Sequence, residues 1–356
     1  MTVFRRYVGR RFAAYFALML AALAALALAL DLMEEADRVL ASAYGGLPGL
    51  LWYSLLRLPD ITAQMLPIAT LLGALTMLAQ LMRHSELVAM WGSGVSSLQL
   101  MRMLLPVAAG LGLLGLLNAD IAVPHSRAEL RAWGVGEARK SGFVADDGVM
   151  TWLRSGTDII RTPKRASPTG ELHDVTIFRR DAAGGLLERI DAGTAAPQED
   201  GWLLTDVRRT PVGTAEIQLL DSLRWNGRID VAALPLIASE FRDLRSGEIL
   251  GLVEHEGFGQ RPTDRYRTWL QARASTVIIP ALMIFLAVSL AQQFRRTGAF
   301  AALLFTSLGI GFAFFALDGI TLALGEVGLL PSWVAAWSAK LALVCLIGTF
   351  VVDREG

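Results

Sequence analysis

Six stretches of this chain are long and apolar enough to cross a bilayer, and they constrain almost everything else it can fold into. They fall at about 12–32, 61–82, 100–123, 269–291, 300–324 and 331–352. A hydrocarbon core about 30 Å thick takes roughly 20 helical residues. Backbone polar groups in lipid must be satisfied within their own segment, so each stretch is predicted to be a helix. Pro67, Pro106 and Pro280 lie inside these runs, where neighbouring helices can satisfy the carbonyls they free. The first run follows Arg5, Arg6, Arg10 and Arg11 and contains Ala27-Leu28-Ala29, which resembles an export signal with a cleavage site. It is longer than the roughly 7–15 apolar residues of such a signal, so an uncleaved first helix is expected.

The short loops set the orientation. With the N-terminus in the cytoplasm, that side receives Arg5, Arg6, Arg10, Arg11, Arg83, Arg102, Arg295, Arg296 and Arg354. The other side receives Arg38 and Arg57, and no basic residue between Leu324 and Pro331. Both termini are therefore expected in the cytoplasm, with the central region outside. Formal net charge is zero, which gives no sign of a nucleic-acid partner. The single cysteine, Cys345, sits in an apolar run and excludes an intrachain disulfide.

Between the third and fourth stretches the period changes. Runs at 148–153, 173–179, 186–192, 202–207 and 215–223 are short and rich in Val, Ile, Leu, Thr and Trp. Turn signals separate them, among them Gly184-Gly185, Gly201 and Pro211-Val212-Gly213. Short strands at this spacing predict an all-β, jelly-roll-like domain. A helix is expected at 239–257, with Leu244, Ile249, Leu252 and Val253 on one face. The predicted organisation is therefore an α-helical membrane protein with six transmembrane helices, three and three. Helices 1–3 occupy 1–139, the β domain 140–260 and helices 4–6 261–356. His173, Asp174 and Ser222 can be imagined as a triad, but nothing fixes a nucleophile beside a base. The four histidines, His84, His125, His173 and His255, lack metal-site spacing, so no metal and no cofactor bound by this chain is expected.

The segment 83–96, Arg-His-Ser-Glu-Leu-Val-Ala-Met-Trp-Gly-Ser-Gly-Val-Ser, is the most informative in the chain. Ser85 is placed to cap a short helix at about 84–91. Glu86 and Met90 fall four apart on one face, and Leu87 and Trp91 share the next. Gly92 and Gly94 end it, and Ser96 with Gln99 has the form of a capping box opening the third span. The pattern fits a helix that inserts into a groove of a cytoplasmic ATPase. It equally fits an interfacial helix resting Leu87, Met90 and Trp91 in lipid.

The run Leu72-Gly73-Ala74-Leu75, then Met77-Leu78-Ala79-Gln80, Ser85-Glu86-Leu87-Val88-Ala89-Met90 and Gly92-Ser93-Gly94 resembles the LptF/LptG (YjgP/YjgQ) permeases of the lipopolysaccharide exporter, more closely the LptG half. Leu58-Pro59-Asp60, Ala122-Val123-Pro124 and Leu330-Pro331 are similar too. The resemblance implies a permease subunit in the bacterial inner membrane with a periplasmic jelly roll. Implied partners are an LptF-like permease, an LptB-like ATPase dimer that uses ATP and Mg, an LptC-like protein and lipopolysaccharide itself. Glu86 falls on the family's coupling-helix acid, with Leu87, Met90 and Trp91 beside it. The chain has no Gly-x-x-x-x-Gly-Lys-Ser/Thr loop and is not expected to be the ATPase, nor any enzyme.

The resemblance also implies basic residues near the outer end of the first span, to meet an anionic head group. That stretch holds the acids Asp31, Glu34, Glu35 and Asp37, and only Arg38 keeps the expected sign as a head-group candidate. Arg57, Arg127 and Arg131 lie near the same face by topology, as further head-group ligands or as interface anchors. Asp318 and Lys340 are ionisable residues inside spans five and six. Each lies roughly 15–18 Å along antiparallel helices from a turn at Gly328, so they either face each other or snorkel separately. The LptF half of the same exporter, a membrane-tethered scaffold or sensor, and a lipoprotein-release type of permease are the rival readings. The last usually has four spans and a larger outer domain after the first.

Overall fold

The computed structural model describes residues 2–42, 45–92, 94–136, 150–163, 167, 169–198, 201–213, 217–227, 229, 231, 234, 241–254, 263–293 and 300–355. Lys140, Lys164, His255, Arg295 and Arg296 lie outside these residues, as does the side chain of Trp91. The chain divides into two compact units, 1–141 with 268–356, and 142–267.

The first unit is helical. Its elements are α1 (Thr2–Ala41), α2 (Leu47–Arg83), α3 (Glu86–Gly92), α4 (Ser97–Leu117), a π-helical turn at Asn118–Ala122, and α5 (Val123–Trp133). After the β unit come α7 (Thr263–Thr276), α8 (Ile279–Gln293), α9 (Phe300–Glu326) and α10 (Ser332–Glu355). Among the described residues, five helices are long and apolar enough to cross a membrane. The bent pair Asp264–Thr276 and Ile279–Ala291, which turns by 50°, makes a sixth if it is one span.

Several helices outrun the apolar stretches that announce them. α2 begins fourteen residues before the expected 61–82 span and runs through Pro59 and Pro67. At 37 residues it is about 55 Å long, well beyond the hydrocarbon core. Asn118 of the π-helical turn donates its Nδ2 to the Pro59 carbonyl at 2.9 Å, and Thr62 Oγ1 donates to the same oxygen at 3.0 Å. Polar side chains thus meet the helix beside its proline.

The core joins α1, α2, α3, α4, α8, α9 and α10 through Val8, Phe12, Phe16, Leu75, Leu78, Leu87, Leu104, Met283, Leu286, Leu303 and Leu343. Lipid tails are as apolar as these side chains, so close packing holds such helices together more than the hydrophobic effect does. The bend between α7 and α8 shows how close. A Cβ on Gly112 of α4 would lie 2.1 Å from the Val277 carbonyl oxygen, so only glycine lets the broken helix seat there.

The second unit carries β1 (Met150–Ser155), β2 (Asp158–Pro163), β3 (Leu172–Arg180), β4 (Leu186–Gln198), β5 (Gly201–Pro211), β6 (Gln218–Trp225) and α6 (Ser246–Glu254). The six strands form one antiparallel sheet in the order β1-β2-β3-β4-β5-β6. Every described strand lies beside its sequence neighbour, so the described strands form a meander. Leu153, Ile160, Val175, Ile177, Ile190, Ala192, Trp202 and Leu204 are buried, following the period-two pattern. β2 is absent from the five expected strands. It closes on β1 through the two residues Gly156 and Thr157, with Ser155 opposite Asp158. β4 continues six residues past its expected end, to Gln198. In α6 the expected face packs inward, with Ile249 and Leu252 buried.

The sheet separates the imagined triad. His173 pairs with Thr194, Thr194 with Thr205, and Thr205 with Ser222. His173 and Ser222 are thus three strand spacings apart, about 14 Å.

Candidate coupling helix and charge clusters

Ser85 takes the first position before α3, where its carbonyl accepts the Ala89 N–H at 3.0 Å. Its φ of 55° is left-handed, which costs a residue with a side chain about 1–2 kcal/mol. At the other end Val95 N–H reaches back to the Met90 carbonyl at 3.1 Å, with Gly94 at φ 86° between them. This six-to-one bond closes the helix. The capping box that follows is formed: Gln99 N–H donates to Ser96 Oγ at 3.2 Å, and Ser96 N–H to Gln99 Oε1 at 3.3 Å.

Within α3 the side chains divide. Leu87 and Met90 are buried in the helical core, 0% and 5% exposed. Both side chains belong to the apolar core that α3 shares with the long helices. Glu86 remains a third exposed and is held from α1. Tyr7 Oη donates to Glu86 Oε2 at 2.9 Å, and Arg11 Nη1 lies 3.3 and 3.4 Å from the two carboxylate oxygens. The Arg11 guanidinium also stacks 4.8 Å above the Tyr7 ring. Tyr7 is not singled out in the sequence, and Arg11 is read there only as a basic flank of the first span; their i, i+4 spacing on a helix face was the available signal.

A second cluster joins α1, α2 and α5 about twenty residues further along α1. Arg57 donates Nε and Nη2 to the two oxygens of Asp31 at 3.0 and 2.5 Å, and Tyr53 Oη donates to Asp31 Oδ2 at 2.7 Å. Asp60 lies 3.3 Å from Arg57 and 3.7 Å from Arg127. Arg57, Asp60 and Arg127 are 5%, 2% and 8% exposed. Arg57 and Arg127 are therefore buried cations held by acids of the same chain. Arg131 Nε donates to the Arg127 carbonyl at 3.3 Å. Arg38 pairs with buried Glu35 at 2.6 Å while about half of its own side chain stays exposed.

Asp318 and Lys340 meet. Lys340 Nζ donates to Asp318 Oδ1 at 2.5 Å, with Lys340 only 2% exposed. Trp337 Nε1, one helical turn before Lys340, donates to Gln271 Oε1 at 3.2 Å. Among the described residues no group of three or more His, Cys, Asp or Glu could hold a metal ion.

Long apolar helices bound by buried charge pairs, with a short acid-bearing helix between two of them, define a multi-pass membrane protein. Residues 6–352 match the family described as lipopolysaccharide export system permease LptF/LptG. The chain is 24% identical over 352 residues to the lipopolysaccharide export system permease protein LptG of Escherichia coli K12, covering 97% of each chain. It is 23% identical over 298 residues to the LptG protein of Haemophilus influenzae, 82% of each. The chain belongs to the LptF/LptG permease family, a family of inner-membrane transport proteins rather than catalytic enzymes.

Proposed function

We infer that this chain is the LptG-type permease subunit of an exporter that draws lipopolysaccharide from the inner membrane and passes it toward the outer membrane. The observation that carries the reading is the family match over 6–352, which spans the helical unit and the sheet unit alike. The curated relatives cited are both LptG proteins, which favours that half over LptF.

The finer features belong to the same proposal. Counting the bent pair as one span gives three helices on each side of the sheet unit. The arginine bias then puts both termini and α3 in the cytoplasm and the sheet, as part of a jelly-roll-like domain, in the periplasm. An LptB-like ATPase dimer would dock on α3, with Glu86 accepting from one of its basic side chains. An LptF-like permease would face α1 and α9, the least buried of the five candidate spans. An LptC-like protein would receive the lipid. Of the cations near the outer end of α1, half-exposed Arg38 is the one placed to meet an anionic head group.

The test is reconstitution. Co-expressed with its genomic neighbours and purified in detergent, the chain should bring down an ATPase and a second permease. Proteoliposomes of that assembly should release lipopolysaccharide to a periplasmic acceptor only with ATP. A stable chain that captures no ATPase would leave the scaffold or sensor reading in its place.

A further inference from the structure

Glu86 is already engaged within its own chain. Its inner side is covered by Tyr7 and Arg11, both from α1. We propose that Tyr7 and Arg11 are positioning residues that tie the Glu86 carboxylate to α1, so that a pull on α3 reaches the first helix directly as well as through α2. The proposal rests on the reading of α3 as the ATPase contact.

Three features support it. First, the two sides of α1 at this level do different things. Val8 and Phe12 are fully buried in the core, whereas Tyr7 and Arg11 lie one turn apart on the side toward Glu86. Residues four apart share a helix face, so one short segment both packs on the bundle and holds the acid. Second, Arg11 is pre-ordered. Stacking over Tyr7 fixes the guanidinium beside the carboxylate without help from another molecule. Third, the carboxylate has capacity to spare. It accepts up to about four hydrogen bonds, three contacts are described, and about a third of the side chain remains exposed. A donor from a docked motor can approach the outer side while Tyr7 and Arg11 keep the inner one. Glu86 then bridges motor and α1 rather than exchanging one for the other.

An ion pair this exposed contributes little to folding. Its consequence is connection: it adds a directional tie between α3 and α1 to the apolar core they share, which can slide.

The experiment compares Tyr7→Phe, Arg11→Lys and Arg11→Ala in the full reconstituted assembly, each with Glu86 intact and with Glu86→Gln. The readout is lipid released per ATP hydrolysed. With Glu86 intact, Arg11→Ala should lower that ratio roughly threefold to fivefold, the scale of one exposed pair. Tyr7→Phe should lower it less, and Arg11→Lys should retain most of it. With Glu86→Gln, adding Arg11→Ala should change nothing further. Equal losses in both backgrounds, or an unchanged ratio with Glu86 intact, would overturn the proposal. Hydrogen exchange on the chain alone in detergent reads the same contact without the motor. Arg11→Ala should speed exchange of the 86–90 amides, and no change there would also overturn it. If the wild-type assembly releases no lipid while the exchange difference persists, the exporter reading has failed and the coupling role falls with it.

Discussion

The two ends of α1 carry charge clusters of opposite character. Residues 11 and 31 are twenty apart, about 30 Å along a helix, so the clusters sit roughly one hydrocarbon thickness from each other. At residue 31 the carboxylate meets a buried arginine in a two-pronged pair, with a tyrosine on one oxygen and a further acid and arginine behind. At residue 11 one guanidinium group and one phenol hold a carboxylate that still faces solvent. The cluster at residue 31 has its charges matched inside the protein and fixes α1, α2 and α5 to one another. The one at residue 11 is shallow and leaves its acid reachable. Rigidity at one end and access at the other suit the proposed transfer of movement into α1 through α3.

The sharpest way to break this contrast is to delete one charge of the cluster at residue 31. Arg57→Ala removes the arginine from Asp31 and one of the two arginines beside buried Asp60, and should cost about 3–5 kcal/mol. Thermal unfolding in detergent should fall steeply, or the chain should fail to accumulate. Arg57→Met with Asp31→Leu should recover much of that loss, because an apolar pair replaces an ion pair more easily than half of one. Next comes Lys340→Ala, expected to cost about 3 kcal/mol by leaving Asp318 alone between α9 and α10. The exchange Asp318→Lys with Lys340→Asp should restore transport that either single change removes. Gly112→Val is smaller again, about 1–3 kcal/mol by the usual scale of overpacking, since α4 must back away from the Val277 carbonyl. Smallest in stability is Glu86→Gln, at most about 1 kcal/mol, yet it should remove most coupled transport. An unfolding shift for Glu86→Gln as large as that of Arg57→Ala would erase the distinction between the two ends.

What could be read from the residues alone follows the range of the interactions. The apolar runs announced the spanning helices because each satisfies its own backbone. The capping box at Ser96 and Gln99 was visible because its partners are three residues apart. The early start of α2 was not, because Arg57 and Asp60 look like loop residues until Asp31 and Arg127 reach them. For the same reason the acids at the end of α1 looked like a mismatch with an anionic lipid. Asp31 in fact answers Arg57, and Glu35 answers Arg38. In the sheet, β2 is short and ends in proline, and the latter half of β4 is Gly193-Thr-Ala-Ala-Pro, weak strand formers held by cross-strand partners. Pro197 is accommodated because the β3 ladder ends at Ala195. Around α3, helix and acid were legible. The inward turn of Met90 and the Arg11 contact seventy-five residues away were not.

The most direct test of the central claim is the amount of lipopolysaccharide released per ATP by the reconstituted assembly carrying Glu86→Ala. The expected result is a complex that still assembles at least in part, melts close to the unsubstituted one and hydrolyses ATP with little lipid released. Undiminished assembly with an unchanged yield of lipid per ATP would contradict the account, because force would then be entering the helices somewhere other than α3.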